Sequence, residues 1–577
     1  MRMPRVGLGP RVLLVLMAST TLASPTLAWG QAQSLAPTAA NAARAGVSAP
    51  ELNPAARAPR PAPQNNDIFA PEPPGPCPLA DSTVQVAISS VTFRGSTAVH
   101  EAAFRPAYAE FVGKPLPVST ICTIRDRAAR ILFDTGVLAR VEIPEQRISG
   151  GALVLDVIEA HVVNVRVRGD IGPAQAAVER FVEKLRGMKP FDMRRAQRYL
   201  LLASDIPGVR VRAAIKPSVN PDRGAVDIDV SVTRDGMDVL ANVQNLGSKV
   251  VGRWGGLARA DFLSFSPYGE STSLVAFHTL DSNEQSVIQV VESARVGGEG
   301  LIARGAAVYG VSHPGDALKV LGLKSQSVVV NAELAYPLIR MRRENLNVAA
   351  GFDIVDQKTD ISGAASLSHD ELRVGYVRAD GDLRTQAFDL PVQLSGSVSL
   401  RKGFEAFGAT SAGSPQLSRS TAEPDAWVVK AGGDLQTLLS PAITGIIKVQ
   451  AQYTDKALVP YEQISLGNLS VGRGYDPAAL LGDKGAAASV ELHYAPFSIY
   501  PKLAAAPYVF FDAGYVRNNG TATGGGRSLR SVGAGVLFRI ANRANLELTY
   551  AYPLDEVITG GQKPAPRLLL NLTASVL

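Results

Sequence analysis

An arginine and an aspartate in the last fifth of the chain have residue types and surroundings suited to an ion pair. Arg473 lies between glycines in a long loop-like segment, LSVGRGYDPAALLGDKG, which covers 469–485. Asp512 follows as a lone charge on an apolar strand-like stretch, 510–514. A guanidinium and a carboxylate can form two parallel hydrogen bonds, which fix geometry as well as energy. The pattern therefore predicts that a loop carrying Arg473 is held by Asp512.

Alternation of apolar and polar residues along the second half of the chain indicates where such an ion pair could lie. From about Asp235 helical periodicity gives way to apolar–polar alternation, clearest in VQLSGSVSLR at 392–401. The predicted strands are about ten residues long, the length that a tilted membrane strand needs. They lie near 236–244, 256–263, 271–280, 285–293, 301–310, 326–336, 346–355, 371–379, 391–401, 427–436, 446–454, 487–494, 508–516, 531–541, 544–552 and 567–576.

These sixteen antiparallel strands predict a transmembrane β-barrel over 235–577. An even number fits a bacterial outer-membrane barrel, and closure removes exposed strand edges. A barrel of this size leaves an aqueous lumen. The segment 455–486, which carries Arg473, then folds inward from one rim, and alternation turns Asp512 toward the lumen. A soluble sandwich also alternates, and a solvated surface loop is the alternative for Arg473.

The start of the chain has the features of an exported protein. Arginines precede the short apolar run 12–18, and small residues follow, so we predict a signal peptide over 1–32. Residues 33–80 are rich in Ala and Pro. Their Pro-dense half reads as an extended linker, and their Ala-rich half as a short helix or a disordered tail.

Two similar units lie between this segment and the barrel, at 81–160 and 161–234. Each has the predicted order β-α-α-β-β, and the marks Arg94-Gly95 and Arg168-Gly169 recur about one unit apart. In the first unit we expect a helix from about His100 to Val112. A second helix follows a good N-cap at Ser119. The sequence thus predicts an internal duplication.

Composition narrows the function classes. The net charge is +6, without the concentrated basic face that nucleic acid requires. The six histidines are scattered and no metal site is predicted. No nucleophile elbow, zinc-protease or phosphate-loop motif occurs, so we expect neither an enzyme nor a cofactor. Cys77 and Cys122 are the only cysteines. Export would permit a disulfide, but the sequence alone does not show that the two are close.

The order of these elements resembles a known family. A Tyr336–Arg340 motif (YPLIR), a YEQISLG lead at 461–467 and the Arg loop between strands eleven and twelve occur in sequence. Together with two N-terminal units and sixteen strands, they resemble the two-partner secretion pores, the ShlB/FhaC/HecB haemolysin secretion/activation transporters. The family's loop motif maps onto Val471, Gly472, Arg473, Gly474 and Tyr475, with Gly472 additional. Its strand motif maps onto Phe510, Asp512 and Gly514.

The resemblance implies a function. The small units would be periplasmic POTRA domains, and the chain would export an unfolded exoprotein of the large β-helical haemolysin or adhesin type across the outer membrane. Residues 33–50 would be a candidate plug helix. The candidate substrate-docking residues lie on strands of the second unit: Arg166, Arg168, Arg210 and Arg212.

Other readings remain open at this stage. A barrel-assembly insertase shares the loop and strand motifs but usually carries three or more POTRA units. A passive porin has no reason for α/β domains ahead of the barrel. The last residue is Leu577 rather than an aromatic residue, which leaves open how the barrel-assembly machinery, a further expected partner beside outer-membrane lipid, reads the final strand.

Overall fold

The computed structural model describes residues 76–281, 283–362, 366–467, 471–520, 525–541, 543–557 and 563–576. The predicted signal peptide, the possible plug helix, the linker up to residue 75 and the end at Leu577 lie outside the described residues. The remainder forms two small α/β units followed by a closed barrel. No helix in these described ranges has the length and apolarity needed to cross a membrane.

The first unit packs its helices on one face of a three-stranded sheet. Its elements are β1 (Gln85–Ala87), β2 (Ser90–Arg94), α1 (Arg105–Tyr108), β3 (Pro115–Pro117), α2 (Thr120–Thr135), β4 (Ala139–Glu142) and β5 (Ala152–Glu159). The sheet order is β2-β5-β4, with β2 parallel to β5, while β1 pairs separately with β3. Buried residues of both helical regions and of β2 and β5 form one core.

Two local expectations for this unit need correction. The helix predicted from His100 to Val112 is broken into a 3-10 turn at Glu101–Phe104, the single α-turn α1 and another 3-10 turn at Ala109–Phe111. Pro106 in α1 has no N–H to donate, which allows it only in the first turn of a helix. Ser119 precedes α2 but makes no side-chain cap hydrogen bond.

A disulfide joins Cys77 to Cys122, with an S–S distance of 2.01 Å. Cys122 is buried in the first turn of α2. The bond therefore attaches the end of the Ala/Pro-rich segment to the helix of the first unit. The sequence had left this pairing open.

The second unit repeats the plan of the first. Its elements are β6 (His161–Arg168), α3 (Ala174–Val182), α4 (Met193–Ser204), β7 (Val209–Pro217) and β8 (Ala225–Arg234). The sheet order is β6-β8-β7, again with a parallel pair, β6 and β8. Asp192 caps α4, since its side chain accepts hydrogen bonds from the N–H groups of Arg194 and Arg195.

The repeated Arg-Gly marks have a common structural cause. Gly95 and Gly169 both end the first sheet strand of their unit with positive φ, 92° and 120°. A Cβ at Gly95 would lie 2.6 Å from the carbonyl oxygen of Val157, and one at Gly169 would lie 2.2 Å from that of Val232. Only glycine permits both this backbone conformation and this close approach.

The wall of the barrel has sixteen strand positions in the part of the chain that the structure describes, which confirms the predicted number. Strands β20 (Ile464–Leu466) and β21 (Leu480–Gly482) lie in a loop instead. The wall strands are β9 (Met237–Gln244), β10 (Gly255–Leu263), β11 (Ser271–Thr279), β12 (Gln285–Val296), β13 (Leu301–Ser312), β14 (Leu323–Arg340), β15 (Glu344–Ile361), β16 (Ser366–Ala387), β17 (Leu390–Gly403), β18 (Trp427–Ser440), β19 (Ile443–Tyr453), β22 (Lys484–Tyr494) with β23 (Phe497–Tyr500), β24 (Leu503–Arg517), β25 (Arg527–Ile540), β26 (Ala544–Pro553) and β27 (Arg567–Ser575).

The twelfth position contains two strands. β22 and β23 lie end to end along β24 and are separated by Ala495 and Pro496. Proline cannot donate to the ladder, which explains the interruption. The barrel closes between β27 and β9, where Asn571 pairs with Gln244 and Ser575 with Leu240.

Alternation places two kinds of side chain on the two faces of the wall. On β14, Val328, Val330 and Leu334 are exposed outward, whereas Ser327 and Asn331 are buried inside. An outward apolar surface and a mostly polar interior are what a lipid-embedded barrel requires. β14 and β15 have 18 residues each, longer than the roughly 9–11 that span a bilayer.

The helices of the second unit rest on three turns at one rim of the barrel. Arg180 of α3 donates to the carbonyl of Pro267 in the β10–β11 turn at 2.9 Å. Lys184 forms a 2.8 Å ion pair with Glu299 in the β12–β13 turn, and Tyr199 of α4 also donates to Glu299. Because the helices face the barrel, the open face of the sheet points away from these turns.

The Tyr336–Arg340 motif belongs to this joint. Asp205 follows α4 directly. Arg340 donates to both of its carboxylate oxygens, at 2.6 and 2.7 Å. It also donates to Asn345 at 2.9 Å. The bidentate pair fixes the orientation of the second unit against the β14–β15 turn.

We expect Gly169→Ala to destabilise the second unit by roughly 2 kcal/mol or more, because the new Cβ meets the Val232 carbonyl. Pulse proteolysis of the purified protein in urea, followed at cleavage sites within 161–234, measures this change. Gly172→Ala is the matched control, since Gly172 also has positive φ but open space around its Cβ position. Equal urea midpoints for the two variants contradict the explanation.

Candidate functional site

The loop between β19 and β22 folds into the barrel. Leu466, Val471 and Tyr475 of this loop are fully buried and pack with Val516 and Leu529 of the wall. A two-stranded ladder of β20 and β21 stiffens the loop. Its extent differs slightly from the prediction, since 484–486 pair with β24 and belong to the wall.

Arg473 and Asp512 meet inside the lumen. The Nη2 and Nε atoms of Arg473 donate to the two oxygens of Asp512 at 2.7 and 3.1 Å. The backbone N–H groups of Gly472 and Arg473 add bonds of 3.0 Å each to one of these oxygens, and Ser531 donates to it at 3.1 Å. Asp512 is fully buried and Arg473 is 5% exposed. One wall carboxylate thus holds both the side chain and the backbone of the loop tip.

Three further wall groups complete the surroundings of the guanidinium. Its Nη1 donates to Glu491 at 3.0 Å, and its Nη2 donates to Ser489 at 2.8 Å. The Cζ atom lies 3.6 Å from the ring centroid of Phe510, a cation–π geometry. Phe510 therefore supports the arginine from the same strand that carries Asp512.

Each glycine of the loop and strand motifs is required by a different close contact. Gly472 has φ 83°, and a Cβ there would lie 2.8 Å from Leu529. A Cβ at Gly474 would come within 2.9 Å of the backbone of Pro553, and one at Gly514 within 2.7 Å of Leu466. Close packing of the loop against the wall therefore requires small residues at all three positions.

Tyr475 joins the loop tip to two neighbouring strands. Its hydroxyl lies 2.9 and 3.0 Å from the carbonyl oxygens of Arg530 and Asp555, and accepts from the N–H of Asp555 at 2.8 Å. The Tyr475 carbonyl accepts a hydrogen bond from Arg567 of the last strand at 2.5 Å. The five motif residues thus contact the wall from β22 to β27.

All four arginines predicted as docking residues lie far from this lumenal site, on the open face of the second unit's sheet. On β8, Ser231 pairs with Arg168 on one side and with Arg212 on the other. Residues paired directly across strands share a face. Arg166 and Arg210 follow at the neighbouring positions of that same face.

Carboxylates partly neutralise this face. Ion pairs join Arg166 to Asp227 (3.2 Å), Arg168 to Asp229 (3.6 Å) and Arg210 to Asp235 (2.8 Å). A hydrogen bond from Lys216 holds the pKa of Asp229 below its ordinary value, so Asp229 stays ionised at neutral pH. Arg212 is exposed and has no ion-pair partner among the described residues.

Comparison with known families decides what these features belong to. The model of the haemolysin secretion/activation protein ShlB/FhaC/HecB matches residues 224–538. The chain belongs to this family. A model of the ShlB-type POTRA domain also matches residues 86–160, which is the first unit. As a member of the ShlB/FhaC/HecB family, the chain is an outer-membrane secretion transporter whose POTRA domains lie in the periplasm.

Individual relatives agree with this assignment. Heme/hemopexin transporter protein HuxB of Haemophilus influenzae (strain 86-028NP) is 22% identical over 477 residues, which cover 78% of this chain and 80% of HuxB. CdiB from Escherichia coli has the same fold, with a TM-score of 0.71, 16% identity, and coverage of 88% of this chain and 93% of CdiB. CdiB from Acinetobacter baumannii has the same fold, with a TM-score of 0.63 and 15% identity, and the match covers 89% of this chain and 93% of that CdiB.

The family fold also orients the barrel. The rim that carries the second unit is periplasmic, so the Arg473 loop enters the lumen from the extracellular rim. Sequence reasoning missed the wall partners Ser489 and Glu491. Both lie on the polar face of a strand whose alternation is visible in the sequence, and a second inward carboxylate next to the loop was the available signal.

We expect Arg473→Lys to loosen the loop tip, because lysine keeps the charge but cannot bridge both oxygens of Asp512 while contacting Ser489 and Glu491. The loss of charged hydrogen bonds should weaken tip retention by roughly 2–4 kcal/mol. Planar-bilayer recording should show more frequent openings. Arg543→Lys, at an exposed position between β25 and β26 and away from the loop tip, is the control. An unchanged frequency of openings in Arg473→Lys contradicts a role for the two-pronged guanidinium of Arg473.

Proposed function

We propose that the chain exports an unfolded partner protein through its lumen, and that the Arg473 loop is the lid of the path. The partner is a large exported protein that binds the POTRA domains in the periplasm, threads the barrel as an extended chain or hairpin, and folds outside. The proposal assigns no catalytic step and no cofactor to the chain.

The observation that carries the proposal is the way in which Asp512 of the wall holds the tip of the loop. A loop that enters from the extracellular side is held at its tip by a multiply bonded ion pair, and in the part of the chain that the structure describes neither a covalent bond nor a continuous sheet joins that tip to the wall. Such a pair is costly to break one-sidedly but gives little net stability, because both charges lose water on burial. A lid held in this way can leave the wall when a competing chain offers hydrogen bonds.

The second POTRA unit supports the docking half of the proposal. Its sheet has edge strands, β6 and β7, and a broad face with arginines that points away from the barrel turns. An extended segment can add to such an edge by backbone hydrogen bonds. Acidic or polar side chains of that segment then meet Arg168 and Arg212 on either side of Ser231.

Folding of the partner outside the cell can supply the drive, since the periplasm has no ATP. A chain that folds after it leaves the lumen cannot slide back. Export driven in this way needs no nucleotide.

Replacing Arg473 by Ala should reduce export of the partner at matched barrel abundance, because the loop loses its defined resting position. A large, repeat-rich exported protein encoded beside this chain is the candidate partner, and its amount in the medium is the readout. Arg543→Ala, at an exposed position between β25 and β26 and away from the loop tip, serves as the control for loss of an arginine. Undiminished export in Arg473→Ala would mean that the loop is not a lid.

The docking surface has its own test. The double substitution Arg168→Glu and Arg212→Glu should weaken binding of the partner's N-terminal region to the purified full chain by about tenfold or more, since it reverses the charge beside Ser231. Arg130→Glu, on an exposed helix surface of the first unit, is the matched control. Equal affinity for both variants would place the docking site elsewhere.

A further inference from the structure

The lumenal loop touches the wall at a second place, far from Arg473 along the wall. The turn Pro460–Glu462 lies near the start of the loop. Glu462 accepts two hydrogen bonds from Arg401 of β17, at 3.0 and 2.8 Å, and pairs with Lys430 of β18 at 3.0 Å. The tip of the loop, by contrast, is held by β22, β24, β25 and β27. Between these two places, Gln450 and Gln452 of β19 donate to the loop carbonyls of Ser465 and Glu462. The loop therefore has charged contacts with the wall at two places.

The charges at this second contact are reversed. At the tip a loop arginine meets wall carboxylates, whereas here a loop carboxylate meets wall bases. Arg401 also donates to Asp353 of β15 at 2.8 Å, and its Cζ lies 5.4 Å from the ring centroid of Tyr376. Glu462 and Arg401 are each 6% exposed, so the pair is enclosed.

An apolar belt lies beside this contact on the inner wall. Its members come from neighbouring strands, and several of them pair directly, such as Val308 with Val329, Val329 with Val355, and Val355 with Leu372. We define the apolar belt as Leu257, Phe277, Val287, Val308, Val329, Val355 and Leu372. An apolar band is unusual inside a barrel with a polar, water-filled lumen.

The loop packs against this belt. Val459 and Tyr461, on either side of Pro460, are 1% and 2% exposed and belong to the same buried cluster as the belt, together with Leu417 of the β17–β18 loop. Glu462 follows Tyr461 directly. The ion pairs of Glu462 thus hold two apolar side chains against an apolar part of the inner wall.

We propose that residues 459–462 form a second latch, in which Glu462 holds Val459 and Tyr461 against the apolar belt and seals that side of the lumen independently of Arg473. The proposal rests on the proposed function only in taking the loop as the lid of the path. Release of the lid then takes two separate steps, one at the tip and one at the second latch. An extended partner chain that carries apolar side chains into the opened lumen occupies the belt in place of Val459 and Tyr461.

Thiol labelling of the full-length protein in proteoliposomes tests the independence of the two latches. The two native cysteines form a disulfide, so an introduced cysteine is the single free thiol. Val355→Cys reports on the apolar belt, and Leu529→Cys reports on the wall beneath the loop tip. Both positions are fully buried in the closed protein. Each reporter is combined with Glu462→Gln or with Arg473→Ala, and the maleimide reaction rate is measured.

Glu462→Gln should speed labelling at Val355→Cys by about tenfold and change labelling at Leu529→Cys by less than about twofold, because local opening limits the reaction of a buried thiol. Arg473→Ala should speed labelling at Leu529→Cys by about tenfold and change labelling at Val355→Cys by less than about twofold. Glu423→Gln is the control, since Glu423 forms an exposed loop ion pair with Lys456 and should speed neither reporter.

Two results overturn the proposal: no faster labelling at Val355→Cys in Glu462→Gln, or equal acceleration of both reporters by either substitution, which means one latch. Lys430→Met is the second variant should Glu462→Gln fail to insert. Lys430→Met leaves the Arg401–Asp353 pair in place, so it should speed labelling at Val355→Cys less than Glu462→Gln does. Labelling needs no partner protein, so its outcome is distinct from that of the export assay.

Discussion

The position of the loop tip depends on one buried ion pair inside the barrel. Asp512 receives the guanidinium of Arg473, two backbone N–H groups of the loop tip and the hydroxyl of Ser531. Because all of these donors converge on one carboxylate, the loop has a single resting position. The glycines beside Arg473, the aromatic ring beneath it and the small residue at Gly514 all serve this approach. The pair therefore fixes the loop tip against the inner wall.

The sequence predicted those features that follow from local periodicity. Alternation with a period of two identified every wall position, and the lone Asp512 on such a strand indicated an inward partner for Arg473. The duplication was visible through Arg94-Gly95 and Arg168-Gly169, because a close backbone approach leaves no alternative to glycine. Local pattern was sufficient wherever neighbours in sequence decide the geometry.

Features that depend on strand register were beyond the sequence. Glu491 reaches Arg473 only because β22 and β24 pair in one particular alignment. The contact of Glu462 with Arg401 needs the curvature of the whole wall, and so does the succession of valines in the apolar belt. The break in the first helix of the first unit reflects Pro106 and packing on the sheet, which an expected helix over 100–112 did not capture.

The two charged lumenal contacts of the loop have opposite polarity, and this limits how the loop can be released. A negatively charged segment of a passing chain competes with Asp512 for Arg473, while a positively charged one competes with Arg401 and Lys430 for Glu462. Neither alone displaces Val459 and Tyr461, whose apolar contacts do not respond to charge. A chain of mixed composition in an extended state presents all three kinds of group along its length, whereas small ions present only charge. Under the proposed export function, an unfolded polypeptide therefore releases the loop more readily than small ions do.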